Sequence, residues 1–176
     1  VDALLIVDVQ NDFCKDGPLE CHKTDTLIPS LNNSIKCYEQ NNLPIIFTQD
    51  WHPEDHISFK EWPKHCVAGT KGAELVPELY IPRFHLIARK GTEKDKEQYS
   101  IFKAPGFKDM LNNLGITHLT ICGLATEYCI QNSARDAVGF EFRVTINKNL
   151  IRPVKSKSLE ENYAIDFFKC RCLYFE

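Results

Sequence analysis

An aspartate, a lysine and a cysteine, residue types that together can hydrolyse an amide, each follow a short apolar run in this 176-residue chain. Asp8 comes after Leu4-Leu5-Ile6-Val7, and Lys90 after His85-Leu86-Ile87-Ala88-Arg89. Cys129 ends the run Gly123-Leu124-Ala125-Thr126-Glu127-Tyr128-Cys129 behind Leu119-Thr120-Ile121-Cys122. A cation beside the other two favours carboxylate and thiolate, the aspartate can shuttle a proton, and the sulfur can attack a carbonyl carbon. At the cysteine, Gly123 is expected to break the strand and Thr126 to cap a helix whose third residue is Cys129. The helix dipole would then lower the thiol pKa and leave amide donors free for an oxyanion. The set contains no histidine, which separates it from papain-like proteases and points to a small amide.

A second group lies in Asp50-Trp51-His52-Pro53-Glu54-Asp55-His56 and Trp62-Pro63-Lys64-His65-Cys66. Asp50 and His52 alternate past a strand end and so point the same way, and His65 returns after a loop of about a dozen residues. Two imidazoles and a carboxylate make a divalent-metal site with coordination positions left open, suited to zinc first, with iron or manganese as alternatives. His56 is left open as a fourth ligand, a supporting partner or a surface residue. Cys66 reads as core, with a soft metal ligand as the alternative, and His22, His85 and His118 as structural.

These residues need strands to carry them. Apolar, β-branched runs at about 3–8, 44–49, 85–89, 118–122, 142–146 and 171–175 alternate with helical patterns. Ile28, Leu31, Ile35 and Tyr38 form one helical face, Phe107, Leu111 and Leu114 another, and Ser158 with Glu161 marks the start of a last helix. Gly115 and Gly139 fall where helices should stop, and Gly91 to Gln98 reads as a surface loop. The pattern predicts one three-layer α/β/α domain over residues 1–176 with a mainly parallel six-stranded sheet of Rossmann-like topology. In such a sheet the strand ends that carry Asp8, Asp50, Lys90 and the Cys129 turn converge on one crevice. No glycine pattern for phosphate binding is present, so no nucleotide cofactor is expected.

Composition narrows the partners. A net charge of -3 with scattered Lys and Arg argues against nucleic acid or a membrane surface and leaves a small molecule. The apolar start Leu4-Leu5-Ile6-Val7 is too short for a signal peptide and no run approaches a membrane span, so the expected location is cytoplasmic. The eight cysteines include no C-x-x-C and are expected to be reduced thiols. A homo-oligomer is left open.

Four segments in order resemble the nicotinamidase (pyrazinamidase) family of the isochorismatase-like cysteine hydrolases. They are Val7-Asp8-Val9-Gln10-Asn11-Asp12-Phe13, then Gln49-Asp50-Trp51-His52-Pro53 with Trp62 to Val67, then Arg89-Lys90-Gly91 with Tyr99-Ser100, and finally Gly123 to Cys129. The resemblance implies deamidation of nicotinamide, or a pyrazinamide-like carboxamide, to the acid and ammonia. Asp8 would be the base, Lys90 the electrostatic partner and Cys129 the nucleophile. It further implies an oxyanion hole from the backbone amides of Ala125 and Cys129, a cis peptide between Leu124 and Ala125, and a metal on Asp50, His52 and His65 that takes the ring nitrogen. Phe13, Trp62, Tyr99, Leu124 and Ala125 would contact the substrate. The chain departs from the family pattern after Phe13, where one glycine replaces two, and at Glu127, where aspartate is common. Rival readings are a carbamoyl-amide hydrolase of the same superfamily and a non-catalytic metal- or partner-binding protein on this scaffold.

Overall fold

Alternation along the first strand divides the interior in two. In β1 (Asp2–Val7), Ala3, Leu5 and Val7 join one apolar cluster and Leu4 and Ile6 the other, and all five are fully buried. A strand buried on both faces needs helices on both, which is the condition for a parallel sheet. The computed structural model, which describes residues 1–176, adds β2 (Ile45–Asp50), β3 (Leu86–Lys90), β4 (His118–Leu124), β5 (Arg143–Arg152) and β6 (Leu173–Phe175). Every pairing is parallel, in the order β3-β2-β1-β4-β5-β6. The sheet is thus wholly rather than mainly parallel. The chain grows outward from β1 to β3, then crosses back to the other side of β1 with β4. That reversal opens a crevice at the carboxyl ends of β1 and β4.

One helix, α1 (Thr24–Gln40), covers the Leu4 and Ile6 side through Leu27, Leu31 and Ile35. On the opposite side lie α2 (Phe107–Asn113), α3 (Gln131–Gly139) and α4 (Leu159–Arg171), which bury Phe107, Leu111, Ala134, Ala137, Ala164 and Phe168. The start of α4 is fixed by its cap: the Ser158 hydroxyl accepts the Glu161 N–H at 3.1 Å, and the Glu161 carboxylate accepts the Lys157 N–H. Such a cap contributes about 1 kcal/mol. No helix is long and apolar enough to cross a membrane.

Two local expectations need correction. Gly123 does not end β4 but sits inside it, paired with Val7 at φ 106°. A Cβ there would overlap the Val7 carbonyl oxygen and lie 2.8 Å from its nitrogen, so the glycine lets two strands press together. The fifth strand continues from the expected 142–146 region to Arg152, because a register shift opposite Ile121 and Gly123 lets Ile151 and Arg152 pair with β4 again. Gly139 does close α3 as expected, as its last residue, and the chain turns left-handed two residues on at Glu141, φ 67°.

Candidate active site

Asp8, the first residue past β1, is left-handed at φ 51°, a region aspartate enters more readily than most residues. Its N–H donates to the Thr48 carbonyl and hydroxyl, each at 3.2 Å, and the Thr48 hydroxyl donates to its Oδ1 at 2.6 Å. The carboxylate is thereby fixed toward the crevice. Lys90 ends β3, where the ladder sets it beside Asp50 of β2. Its ammonium, 1% exposed, meets Asp8 Oδ2 at 2.8 Å, Cys129 Sγ at 3.3 Å and Asp50 Oδ1. Burial would discharge this lysine, but the two carboxylates and the sulfur outweigh it and hold its pKa well above the ordinary value.

Cys129 is reached by a route the local pattern hides. The peptide joining Leu124 and Ala125 is cis. Thr126 to Ile130 then form one wide π turn ahead of α3, in which the Ala125 carbonyl accepts the N–H groups of both Tyr128 and Ile130 at 3.1 Å. Thr126 therefore begins the turn rather than capping it, and its buried hydroxyl has no partner. The expected thiolate is also corrected: burial pushes the Cys129 thiol well above its usual pKa against the pull of Lys90, and the Asp8 charge adds to the rise. Burial, with the Asp50 charge, likewise raises Asp8 despite Lys90. The resting pair is a neutral thiol beside a carboxylate of increased basicity, the arrangement a general base requires.

Side-chain donors of Asp50, His52 and His65 lie within 4.8 Å of one another, all buried. His52 Nδ1 donates to the Gly91 carbonyl at 2.8 Å and His65 Nδ1 to the Pro63 carbonyl at 2.6 Å. Both Nε2 lone pairs are left to converge with the Asp50 carboxylate, which is the pattern of imidazoles oriented for a divalent metal. Gly91, left-handed at φ 64°, lets its own backbone approach, since a Cβ there would run into the His52 ring. His56 stands apart. Its ring stacks on His52 at 4.0 Å, its Nε2 donates to the Lys96 carbonyl at 2.9 Å, and its Nδ1 accepts from Ser58. With both nitrogens engaged it offers no lone pair to the cluster. Asp50 joins the two groups, one oxygen on Lys90 and the other 3.5 Å from His52 Nε2.

One cavity opens onto Asp8 and Cys129 and reaches Asp50 and His65. Asp8, Asp50, His65, Glu97 and Cys129 supply its ionisable groups, and Phe13, Trp62, Tyr99, Tyr128, Leu19, Cys21, Leu124, Ala125 and Val154 its walls. Trp62 and Tyr99 are tied by an indole N–H to hydroxyl bond of 3.2 Å, and the Trp62 and Tyr128 rings meet edge to face at 5.1 Å. Sequence reasoning placed Phe13, Trp62, Tyr99, Leu124 and Ala125 here but missed Leu19, Cys21, Glu97, Tyr128 and Val154, and it also missed Gln10 behind Asp50. Gln10 is fully buried; its amide donates to the Asp50 carbonyl at 2.8 Å and accepts the Asp50 N–H at 2.9 Å, locking that residue in place. Gln10 lies past the end of β1 and beyond the left-handed Asp8, where strand alternation no longer holds, so its spacing gave no signal.

Comparison with known proteins agrees with this geometry. The isochorismatase domain model matches residues 2–164. A nicotinamidase of Acinetobacter baylyi is 37% identical over 161 residues, spanning 77% of this chain and 73% of that protein. A nicotinamidase of Escherichia coli is 30% identical, spanning 92% and 88%. The crystal structure of a Pyrococcus horikoshii pyrazinamidase in complex with zinc superposes with a TM-score of 0.91 at 38% identity, over 99% of this chain and 97% of that one. The chain belongs to the isochorismatase-domain family.

Proposed function

We propose that this protein is a nicotinamidase, hydrolysing nicotinamide to nicotinate and ammonia through a thioester on Cys129. The observation that carries the reading is the joining of Asp8, Lys90 and Cys129 to a two-histidine, one-aspartate cluster through the shared carboxylate of Asp50. The nicotinamidases and the pyrazinamidase similar to this chain support it. A carbamoyl-amide hydrolase would have no use for the histidines, and a non-catalytic scaffold none for the buried nucleophile.

In this mechanism Asp8 takes the Cys129 proton as the sulfur attacks the carboxamide carbon, and Lys90 stabilises the separated charges. Backbone N–H groups of Ala125 and Cys129 would hold the oxyanion. Asp8 returns the proton to the leaving nitrogen, the C–N bond breaks, and ammonia departs. Water then attacks the thioester, Asp8 accepting its proton, and as the C–S bond breaks Asp8 passes that proton to the sulfur, which restores the thiol and the carboxylate and releases the acid. Asp50, His52 and His65 would hold a divalent metal, for which we propose zinc, and when bound it supplies an anchor for the ring nitrogen. The aromatic walls of Phe13, Trp62, Tyr99 and Tyr128 confine the ring. Eight unpaired thiols suit a reducing compartment, and we place the enzyme in the cytoplasm.

Purified protein should release ammonia and nicotinate from nicotinamide in equal amounts, and Cys129→Ala should abolish this while keeping the fold. Mass spectrometry of quenched enzyme should show the acyl group on Cys129. An acyl group on Cys66 or Cys122, or turnover by Cys129→Ala, would overturn the assignment.

A further inference from the structure

Glu127 is a buried acid that takes no part in the chemistry above. It is 5% exposed and stands in the nucleophile turn, two residues before Cys129. Its Oε1 accepts the backbone N–H groups of Val154 at 2.9 Å and Lys155 at 3.2 Å, while Oε2 is buried without a partner. Val154 lines the cavity. The neighbouring Pro153 carbonyl accepts the N–H of His22 at 2.8 Å, beside Cys21, which lines the cavity as well. One carboxylate therefore fastens a wall built from two distant loops to the turn that carries the nucleophile. The two bonds to the wall come at the cost of burying a carboxyl oxygen with no partner.

We propose that Glu127 is a positioning residue that fixes the Val154 wall and so sets the cavity's preference for aromatic carboxamides without further ring substituents. The inference rests on the amidase reading for its substrates but not for its geometry. Shortening the tether by one methylene in Glu127→Asp should move the wall and leave the nucleophile turn in place. In a hydrophobic pocket one methylene changes discrimination about tenfold or more. KM for nicotinamide should rise roughly tenfold with kcat changed less than about threefold, and the kcat/KM ratio of 5-methylnicotinamide to nicotinamide should rise roughly tenfold. Glu127→Gln, which keeps the length and the accepting oxygen, should restore the ratio. Val154→Ala should shift it in the same direction, and Glu127→Asp should add little in that background, because the two act through one contact.

An unchanged ratio in folded Glu127→Asp, or additive effects in the double variant, would overturn the proposal. Should Glu127→Asp not fold, an unchanged ratio in Val154→Ala would do the same. If wild-type protein releases no ammonia from nicotinamide, it is the amidase reading that fails. The wall is then read from Cys129 alkylation, where Glu127→Asp should raise the rate with N-phenylmaleimide relative to iodoacetamide, and an equal ratio in both proteins would sink the idea.

Discussion

Lys90 has three protons and three buried acceptors, and this count organises the site at the scale of single residues. Its contacts with Asp8, Cys129 and Asp50 leave it fully satisfied, so it cannot itself take up the thiol proton and acts as a fixed charge. Asp50 differs because it faces both ways. Burial opposes its ionisation, yet Lys90 and His52 hold its carboxyl below the ordinary range, which keeps an anion available between the nucleophile and the histidines. The donor set follows from which nitrogens remain free. Removing His52 or His65 deletes an Nε2 that faces the cluster, and His52→Ala and His65→Ala should each lose stoichiometric metal and bind nicotinamide more weakly. His56→Ala removes a ring that stacks on His52 and bonds Lys96 and Ser58 but no ligand nitrogen, so the metal should stay, with affinity lowered by roughly ten- to a hundredfold. Elemental analysis and zinc titration of the three variants check this. A His56→Ala protein as empty as His52→Ala would show that His56 turns its ring to ligate.

At the scale of elements, the site depends on how closely β4 approaches β1, and Gly123 sets that distance. Gly123→Ala combines an unfavourable φ with overlap onto the Val7 backbone, and should cost at least about 3 kcal/mol. Gly106, also left-handed at φ 75°, has open space around its Cβ direction, so Gly106→Ala should cost only about 1–2 kcal/mol. Urea denaturation of both variants tests the difference, and equal losses would mean that the close approach relaxes freely. The same strand shows what the sequence made legible. Asp8, Asp50 and Lys90 could be placed because each ends an apolar run of the right length, and parallel pairing brings such ends to one edge. The π turn could not, since a glycine followed by a threonine reads locally as a strand end and a helix cap, and only contact with Val7 and the wide turn at Ala125 decide otherwise. Gln10 and Glu127 escaped for a related reason. Their partners are backbone groups of Asp50, Val154 and Lys155, which any residue type would supply, so no pattern in the partner sequence announces the bond.

Across the whole molecule, the buried thiols link stability to pH. All eight cysteines are unpaired, and Cys14, Cys21, Cys66 and Cys122 are buried with the core. Burial raises each of their pKa values, that of Cys14 to about 11 and those of Cys21, Cys66 and Cys122 further. In the unfolded chain these thiols ionise near the ordinary value of 9.0. Between that pH and the folded pKa the native state holds more protons than the unfolded state, so stability falls as pH rises. Their stabilising share is intact below pH 9 and is lost above it, each thiol contributing about 1.4 kcal/mol per pH unit once the unfolded form is fully ionised. Cys122 isolates the effect because burial is the sole cause of its shift. Cys122→Ala should lower stability at neutral pH through the lost packing, yet decline less steeply on the alkaline side, the two curves converging as pH rises. Urea titrations from pH 7 to pH 11 measure both slopes under the same metal conditions. Parallel curves would mean that Cys122 ionises alike in folded and unfolded chains, which a thiol sealed between β4 and the Leu5 carbonyl cannot do without opening the sheet.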